Sequence, residues 1–307
     1  DLSAGSALIN AGVASAGTGA RLSAGSMLDN TGSVLAGGDL VATTLGQLSN
    51  AGRFVAGVGA DGSLSLPGSI VLTAGAIVHR GTSLAGKDVT LSAGGLDLAG
   101  GKLSAVGKLA LATPGNIDTS NAVVQGATLD ITGANLRNQG GKLTATGDAA
   151  IKLGGQLDST GGLIAAAGDA YIEAASIVNR DGTLAAQDLT VTASGAIDNR
   201  GGLIQADNAL TLNAASLDNS GTLGAAEAPP KGVLGKVVSI VADRVNNQAG
   251  SIEAIEDLAL TAKELDNTGG EVASQGNASI VADTLENAQG KVQAGKSLTV
   301  ITQVLQG

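Results

Sequence analysis

One histidine and no cysteine limit the chemistry available to this chain of 307 residues. His79 lies in the run Ile77-Val78-His79-Arg80, with no nucleophile motif around it. A Ser-His-Asp triad would have to pass through His79, and a transition-metal site needs further His or Cys ligands. We therefore predict a protein that is not an enzyme, with no catalytic residue, no cofactor and no transition-metal site.

Acidic residues at turns raise the question of calcium. Asp follows Gly at Gly38-Asp39, Gly147-Asp148 and Gly168-Asp169, but Lys takes the same place at Gly86-Lys87 and Gly107-Lys108. Calcium-binding β-rolls repeat Gly-Gly-x-Gly-x-Asp, which is absent here. Because calcium needs several converging oxygens, we predict no calcium site and interpret these positions as solvated corners.

Polysaccharide cleavage is the enzymatic alternative that stays open. Such clefts need clustered carboxylates and usually aromatic platforms for sugars. The only aromatic residues are Phe54 and Tyr171, and Tyr171 occupies an outward-facing slot between Ala170 and Ile172. Arg180-Asp181-Gly182 has the wrong order for an integrin-binding tripeptide and is predicted to be a corner.

Charge and hydropathy exclude further classes. The net charge is −10, from 27 acidic and 17 basic residues, which disfavours nucleic acid as a partner. No apolar run reaches the 18 or so residues of a membrane-spanning helix, so we predict no membrane insertion. The start, Asp1-Leu2-Ser3, lacks the basic residues of a signal peptide, which suggests an internal fragment of a larger protein.

A repeat of about 20 residues organises the whole chain. It is marked by an apolar anchor that often precedes Asp-Asn, at Leu8, Leu28, Leu48, Ile77, Leu96, Ile117, Leu136, Leu157, Ile177, Ile197, Leu217, Val245, Leu265 and Leu285. The spacings are 20, 20, 29, 19, 21, 19, 21, 20, 20, 20, 28, 20 and 20 residues, and Leu305 begins a further repeat.

Each repeat contains three short apolar segments separated by turns. In one repeat the first segment is 197–199, the second is 203–206 and the third is 210–214. The third segment alternates apolar and polar residues, as in Leu189-Thr190-Val191-Thr192, which indicates a strand with one buried face. One repeat cannot bury its own apolar row, so the repeats must stack as the coils of a parallel solenoid. At about 4.8 Å per coil, fourteen coils would form a rod of about 65 to 70 Å.

Asn-x-Gly follows many anchors, beginning at Asn10, Asn30, Asn50, Asn138, Asn199, Asn219 and Asn267. Asn and Gly both tolerate positive φ, and stacked Asn side chains can hydrogen-bond along the solenoid axis. The motif therefore predicts structural corners rather than a ligand site. The two long spacings place loop insertions near 57–68 and 224–236, the latter with Pro229-Pro230.

The repeat resembles the haemagglutinin repeats of the filamentous haemagglutinin family, the exoproteins of bacterial two-partner secretion. Nearly whole copies of Leu-Asp-Asn-x-Gly-Gly-x-Leu-x-Ala-x-Gly-Asp-Leu-x-Leu-x-Ala run from Ile197 to Ala214 and from Leu136 to Leu153. The resemblance implies an all-β fold, a right-handed parallel β-helix of about 14 coils with roughly 20 residues each. We expect residues 1–307 to form a single β-helical repeat domain.

The resemblance also implies the shaft of a bacterial adhesin, secreted or displayed on a Gram-negative cell, which attaches to a receptor on a host or neighbouring cell. The full-length protein would be exported by an outer-membrane transporter, although the Asn-Pro-Asn motif of the secretion domain is absent from this chain. The stalk of a contact-dependent growth inhibition exoprotein is an open alternative. We expect a monomer whose receptor is a protein or a glycan.

Overall fold

A computed structural model gives the fold of residues 1–224 and 228–307, and every regular element in those residues is a β-strand. The strands form a parallel β-solenoid of about 15 turns with about 20 residues per turn, which confirms the predicted fold class. Leu305, which continues the anchor series, accounts for the difference from the predicted 14 coils. The chain divides into two compact units, Asp1–Gly154 and Gly155–Gly307. The right-handed sense and the single repeat domain stay predictions.

In the first unit, the three segments of each repeat form three strands. Its first-segment strands are Ala7–Asn10, Met27–Asn30, Gln47–Asn50, Ala76–His79, Leu96–Asp97, Ile117–Asp118 and Leu136–Arg137. Its second-segment strands are Val13–Ala16, Ser33–Ala36, Arg53–Ala56, Thr82–Ala85, Lys102–Ala105, Val123–Gly126 and Lys142–Ala145. Its third-segment strands are Leu2–Ala4, Ala20–Ala24, Leu40–Thr44, Ile70–Ala74, Val89–Ala93, Lys108–Ala112, Thr128–Gly133 and Ala149–Leu153.

The second unit begins in the same way and then changes. Its separate first-segment strands are Gln156–Asp158, Ser176–Val178 and Ala196–Asp198, and its separate third-segment strands are Ala170–Ala174 and Leu189–Ala193. Its second-segment strands are Leu163–Ala166, Thr183–Ala186, Leu203–Ala206, Gly232–Gly235, Ser251–Ala254, Glu271–Ser274 and Lys291–Ala294. In its last coils, the third and first segments join into the strands Ala209–Asp218, Val237–Asn246, Leu258–Asp266, Ala278–Glu286 and Leu298–Gln306.

The residues at the corner between the two segments differ between the first unit and the last coils. In the first unit, glycines such as Gly46 stand there, and a Cβ on Gly46 would lie 1.9 Å from the carbonyl oxygen of Ser26. In the last coils, Asp243 and Lys263 stand there instead, with side chains more than half exposed. In these last coils the backbone stays extended through the corner, whereas the earlier corners are bends.

Parallel pairing aligns equivalent residues of successive coils into columns, and the inward columns form the core. The anchors of the first unit pair in the order predicted, as Leu8, Leu28, Leu48, Ile77, Leu96, Ile117 and Leu136. A third-segment column of the second unit is Ile172, Val191, Leu212, Ile240, Leu260, Ile280 and Val300. Leu210 and Leu212 are each 1% exposed, whereas Thr211 between them is half-buried on the outer face. The predicted period of two is confirmed.

The role predicted for Asn at the corners is wrong in one respect. Positive φ occurs two residues after the asparagine, at Gly140 (62°) after Asn138 and at Gly201 (64°) after Asn199. The asparagines themselves keep ordinary negative φ. At these corners the glycine makes the turn and the asparagine points inward, whereas the glycines that follow Asn10, Asn30 and Asn50 do not have positive φ.

The two long spacings differ in structure. In residues 57–68, Val58 and Leu64 form an antiparallel bridge, and the N–H of Gly59 donates to the carbonyl of Ser63 at 2.8 Å. This small hairpin projects between a second and a third segment. Of the predicted insertion 224–236, residues 225–227 lie outside the described part of the chain. Gly232–Gly235 is a regular second-segment strand, so the irregular stretch ends before Gly232 rather than at Lys236.

Leu212 and Thr211 provide a direct test of the inward and outward faces. Leu212→Asp places an unpaired carboxylate in the core and is expected to lower the free energy of unfolding by about 3 kcal/mol or more. Thr211→Asp is expected to change it by less than about 1 kcal/mol, because the outer face is solvated. Urea denaturation measures both variants, and equal destabilisation would contradict the assignment of faces.

Candidate functional site

A row of buried asparagines is the most regular polar feature of the second unit. In each step, the Nδ2 amide of one asparagine donates to the Oδ1 of the next at 2.7 to 2.8 Å. The row, here called the asparagine ladder, consists of Asn179, Asn199, Asn219, Asn247, Asn267 and Asn287. Each of its interior members is 0% exposed.

The ladder satisfies side-chain and backbone polar groups together. Asn219 Nδ2 also donates to the carbonyl of Ser251 at 2.8 Å, and Asn179 Nδ2 donates to the carbonyl of Leu203 at 3.0 Å. A buried amide without such partners would be strongly destabilising. Asn179 Oδ1, at the start of the ladder, is buried without a partner, and the Nδ2 groups from Asn179 to Asn267 are committed to the stack, in line with the predicted structural role.

The Asn-x-Gly motif found only part of the ladder. Asn179, Asn247 and Asn287 were missed because no glycine follows them at the second position. Each of them lies two residues after an anchor, and this constant spacing would have identified them in the sequence. The turn glycine is dispensable because Asp181 and Ala249 adopt positive φ in its place.

The first unit has a shorter ladder that ends at His79. Asn10 donates to Asn30, and Asn30 donates to Asn50, each at 2.7 Å. Asn50 Nδ2 then lies 3.1 Å from His79 Nε2, which also lies 2.8 Å from Ser83 Oγ. His79 is 0% exposed, and burial lowers its pKa from 6.5 to about 4. The single histidine is therefore a ladder member, and no bulk solvent or substrate can reach it.

The corner aspartates hold neighbouring coils together. Asp39, Asp88, Asp188 and Asp257 each accept, at 2.8 to 2.9 Å, the backbone N–H of a residue in the next coil. Solvation alone, which the sequence suggested, does not explain these positions. Their carboxylates are used by the backbone, which leaves them poorly placed to gather around a cation.

Arginine and aspartate alternate on one corner of the second unit. Asp198 Oδ2 lies 2.6 Å from Arg180 and 2.8 Å from Arg200, and Arg200 reaches Asp218 at 3.6 Å. Burial acts to raise the pKa of Asp198, but hydrogen bonds from Arg200 and Arg180 outweigh it and hold this pKa at about 2. Solvent-accessible ion pairs of this kind contribute little to stability, so the main effect of this row is to place opposite charges next to each other in neighbouring coils.

The remaining predicted residues occupy ordinary structural positions. Arg180 to Gly182 form a turn, as predicted, with Asp181 at φ 51°. Tyr171 points outward and is 37% exposed, and its hydroxyl donates to Glu173 Oε2 at 3.0 Å. Phe54 is fully buried in the core of the first unit. Neither aromatic ring forms a sugar platform of the kind that polysaccharide-cleaving clefts use.

A shallow groove of about 550 Å³ runs across second-segment strands of the second unit. Its lining includes Gln205, Glu253, Glu271, Gln275, Gln293 and the small side chains of Ala254 and Ala273. Glu271 is paired with Lys291 at 2.8 Å. Sequence reasoning missed this groove because its lining is drawn from five successive coils, with one to four residues from each.

Within residues 1–224 and 228–307, no group of three or more His, Asp or Glu side chains is placed to hold a metal ion. None of the described chain forms a helix long and apolar enough to span a membrane.

The sequence matches the model of one protein family, described as Haemagglutinin repeat. The matched residues are 1–56, 56–120, 110–161, 154–201, 165–228 and 234–303. Neither the curated proteins nor the solved structures contain a match to the chain.

Asn219 and Asn213 test the ladder as a matched pair. Asn219→Ala removes the Oδ1 acceptor of Asn199 Nδ2 and the Nδ2 donor to Asn247 Oδ1 and to the carbonyl of Ser251, so we expect a loss of about 2 to 5 kcal/mol in unfolding free energy. Asn213→Ala, half-buried on the outer face, is expected to change it by less than about 1 kcal/mol. Chemical denaturation that shows similar losses for both would refute the role of the ladder.

Metal ions are expected to leave stability unchanged. The corner aspartates accept backbone N–H groups rather than converge, so added cations have no multidentate site to occupy. Thermal melts in chelator and in millimolar calcium should therefore superimpose. A shift of more than a few degrees would reveal a calcium site that these contacts do not explain.

Proposed function

Because the chain belongs to the Haemagglutinin repeat family, we propose that it forms the elongated shaft of a secreted or surface-displayed bacterial adhesin of the filamentous haemagglutinin type. The observation that carries the proposal is the succession of repeat matches from residue 1 to residue 303 on a solenoid of regular coils. A shaft requires each coil to pack against the next, and the inward side chains of this chain pack in that way.

The disposition of polar groups supports a structural role over catalysis. The interior asparagines are consumed by the ladder, the corner aspartates of the repeat accept backbone N–H groups, and His79 is fully buried. Catalysis by a general acid and base would require accessible titratable groups that face a common substrate. The polysaccharide-active alternative is therefore disfavoured, with the groove near Glu253 and Glu271 as its best remaining location.

The proposal carries expectations about location and partners. The full-length protein would be exported through an outer-membrane transporter and displayed or released by a Gram-negative cell. Its receptor would be a protein or glycan on a host or neighbouring cell. The net charge of −10 disfavours nucleic acid as a partner, and we propose that the chain itself is a monomer.

A stalk of a contact-dependent growth inhibition exoprotein is the second candidate. The same repeat family and the same regular coils support it equally, since both roles require a rigid spacer. The two candidates differ in the modules joined to the shaft, so the regular coils favour neither of them.

Cell binding distinguishes a shaft from a receptor-binding module. Beads coated with the chain are compared with beads coated with an inert protein, on epithelial cells and on Gram-negative bacteria. A pure spacer is expected to give no saturable binding by itself. When a lectin domain of known specificity is fused to one end, the beads should bind according to that lectin. Saturable binding by the unfused chain would contradict the spacer role.

Trimmed variants locate any binding that does occur. One variant shortens the stretch 57–68 by nine residues and another removes the eight residues 224–231, which keeps the strand Gly232–Gly235 and restores the 20-residue spacing of the anchors. A change in loop length alters the folding free energy only slightly, so both variants should keep the circular dichroism of the parent. Binding lost with one trimmed loop would place recognition there, whereas binding kept by both would place it on a regular face.

A further inference from the structure

The direction of the short ladder dictates the hydrogen-bonding state of His79. Asn30 Nδ2 donates to Asn50 Oδ1, so Asn50 must present its Nδ2 donor to His79 Nε2. His79 Nε2 can accept that hydrogen bond only when it carries no proton. The ladder thus requires neutral histidine with its proton on Nδ1.

The other ring nitrogen, Nδ1, is buried and has no hydrogen-bond partner on another residue. The next coil is close here, since a Cβ on Gly101 would lie 2.9 Å from Nδ1 and 2.5 Å from the carbonyl oxygen of His79. The following ladder position holds Leu98, which is fully buried and cannot accept a proton. Asn50 and Ser83, the polar side chains in contact with the ring, both face Nε2, so Nδ1 meets packed backbone instead.

Ser83 marks the same coil as a departure from the repeat. It stands in the inward second-segment column, between Phe54 of the preceding coil and Leu103 of the following coil. Its Oγ lies 2.8 Å from His79 Nε2. In this coil Ser83 takes the place of an apolar residue and His79 takes the place of Asn. The two polar side chains therefore depart from the repeat together and form one polar unit.

We propose that His79 makes residues 70–98 an acid-sensitive breakpoint. Protonation of Nε2 places two hydrogen-bond donors, the Nε2–H and the Asn50 amide, against each other and opens the stack between Asn50 and Leu98. A protonated ring would point an N–H at the Asn50 amide, which cannot turn away without breaking its bond to Asn30. The ladder of the second unit contains only asparagines at its bonded positions from Asn179 to Asn287 and lacks this sensitivity.

Neighbouring charges do not rescue the protonated ring. The charged residues on the segments packed around His79 are Arg53, Arg80, Asp97 and Lys102, and their side chains lie on the outer side of the coil. Asp97 is engaged by Arg80, and Arg80 is the charge that acts on the histidine. Burial is the largest cause and, together with the charge of Arg80, lowers the pKa of His79 to about 4 against a smaller raising effect from the residue's own backbone.

Acid is expected to destabilise the closed coil relative to the opened one. In the opened coil His79 binds a proton with its ordinary pKa of 6.5, whereas in the closed coil it does so only near 4. The stabilisation of the closed coil is therefore complete above about pH 7 and falls as the pH drops through 6.5 towards 4. Since each pKa unit of difference is tenfold, opening should rise by about a hundredfold between pH 7 and pH 4.

Hydrogen–deuterium exchange of the full chain tests this proposal. After correction for the intrinsic pH dependence of exchange, peptides within 70–98 are expected to lose about a hundredfold in protection between pH 7 and pH 4. Peptides within 197–219 serve as the internal comparison and should change far less. His79→Asn restores the ladder residue of the other coils and is expected to abolish the loss in 70–98. An equal loss in His79→Asn, or none in the parent chain, would overturn the proposal.

A second measurement does not depend on how the variant folds. The chain has one histidine, so its ring resonance in a ¹³C-labelled sample belongs to His79 alone. In the folded parent chain this resonance should stay at its neutral position down to about pH 5. A titration midpoint between pH 6 and pH 7 in the folded chain would show that protonation is tolerated and would also overturn the proposal.

Discussion

The fold depends on stacking of each coil against its neighbours. A single coil exposes its apolar anchors along both of its edges, and only the coils before and after it can cover them. Parallel pairing then places each residue beside its equivalent in the next coil, so every inward position becomes part of a column, as with Val191, Leu212 and Ile240. A shift of one residue would turn each inward side chain outward, so the apolar columns fix the register.

The polar architecture follows from the same geometry. Because equivalent residues are superimposed, an inward asparagine meets another one coil away, and a corner aspartate meets a backbone N–H of the next coil. Polar groups of the kind that bind a ligand in a globular enzyme are here hydrogen-bonded between coils. This arrangement supports the structural role proposed for the chain.

The sequence predicted the parts of the fold that depend on period. The anchors and the alternation of Leu210, Thr211 and Leu212 were sufficient to predict the coil, its three segments and its faces. Features that depend on contacts between coils were not predictable in the same way. The place of His79 in the ladder became clear only once Asn50 and Ser83 were adjacent to it, because these contacts span 29 residues in one direction and four in the other. The groove near Glu253 likewise has no continuous sequence signal.

Deletion of one complete coil tests the dependence on register most directly. Removing residues 197–216 joins Ala196 to Leu217, so that Asn179 meets Asn219 and Val191 meets Ile240 in the same columns. We expect this chain to fold with an unchanged circular dichroism per residue and a modest loss in unfolding free energy. Removing only residues 197–206 breaks the register and should unfold the surrounding coils. If the 20-residue deletion disrupts the fold as severely as the 10-residue deletion does, stacking in register is not what holds this structure together.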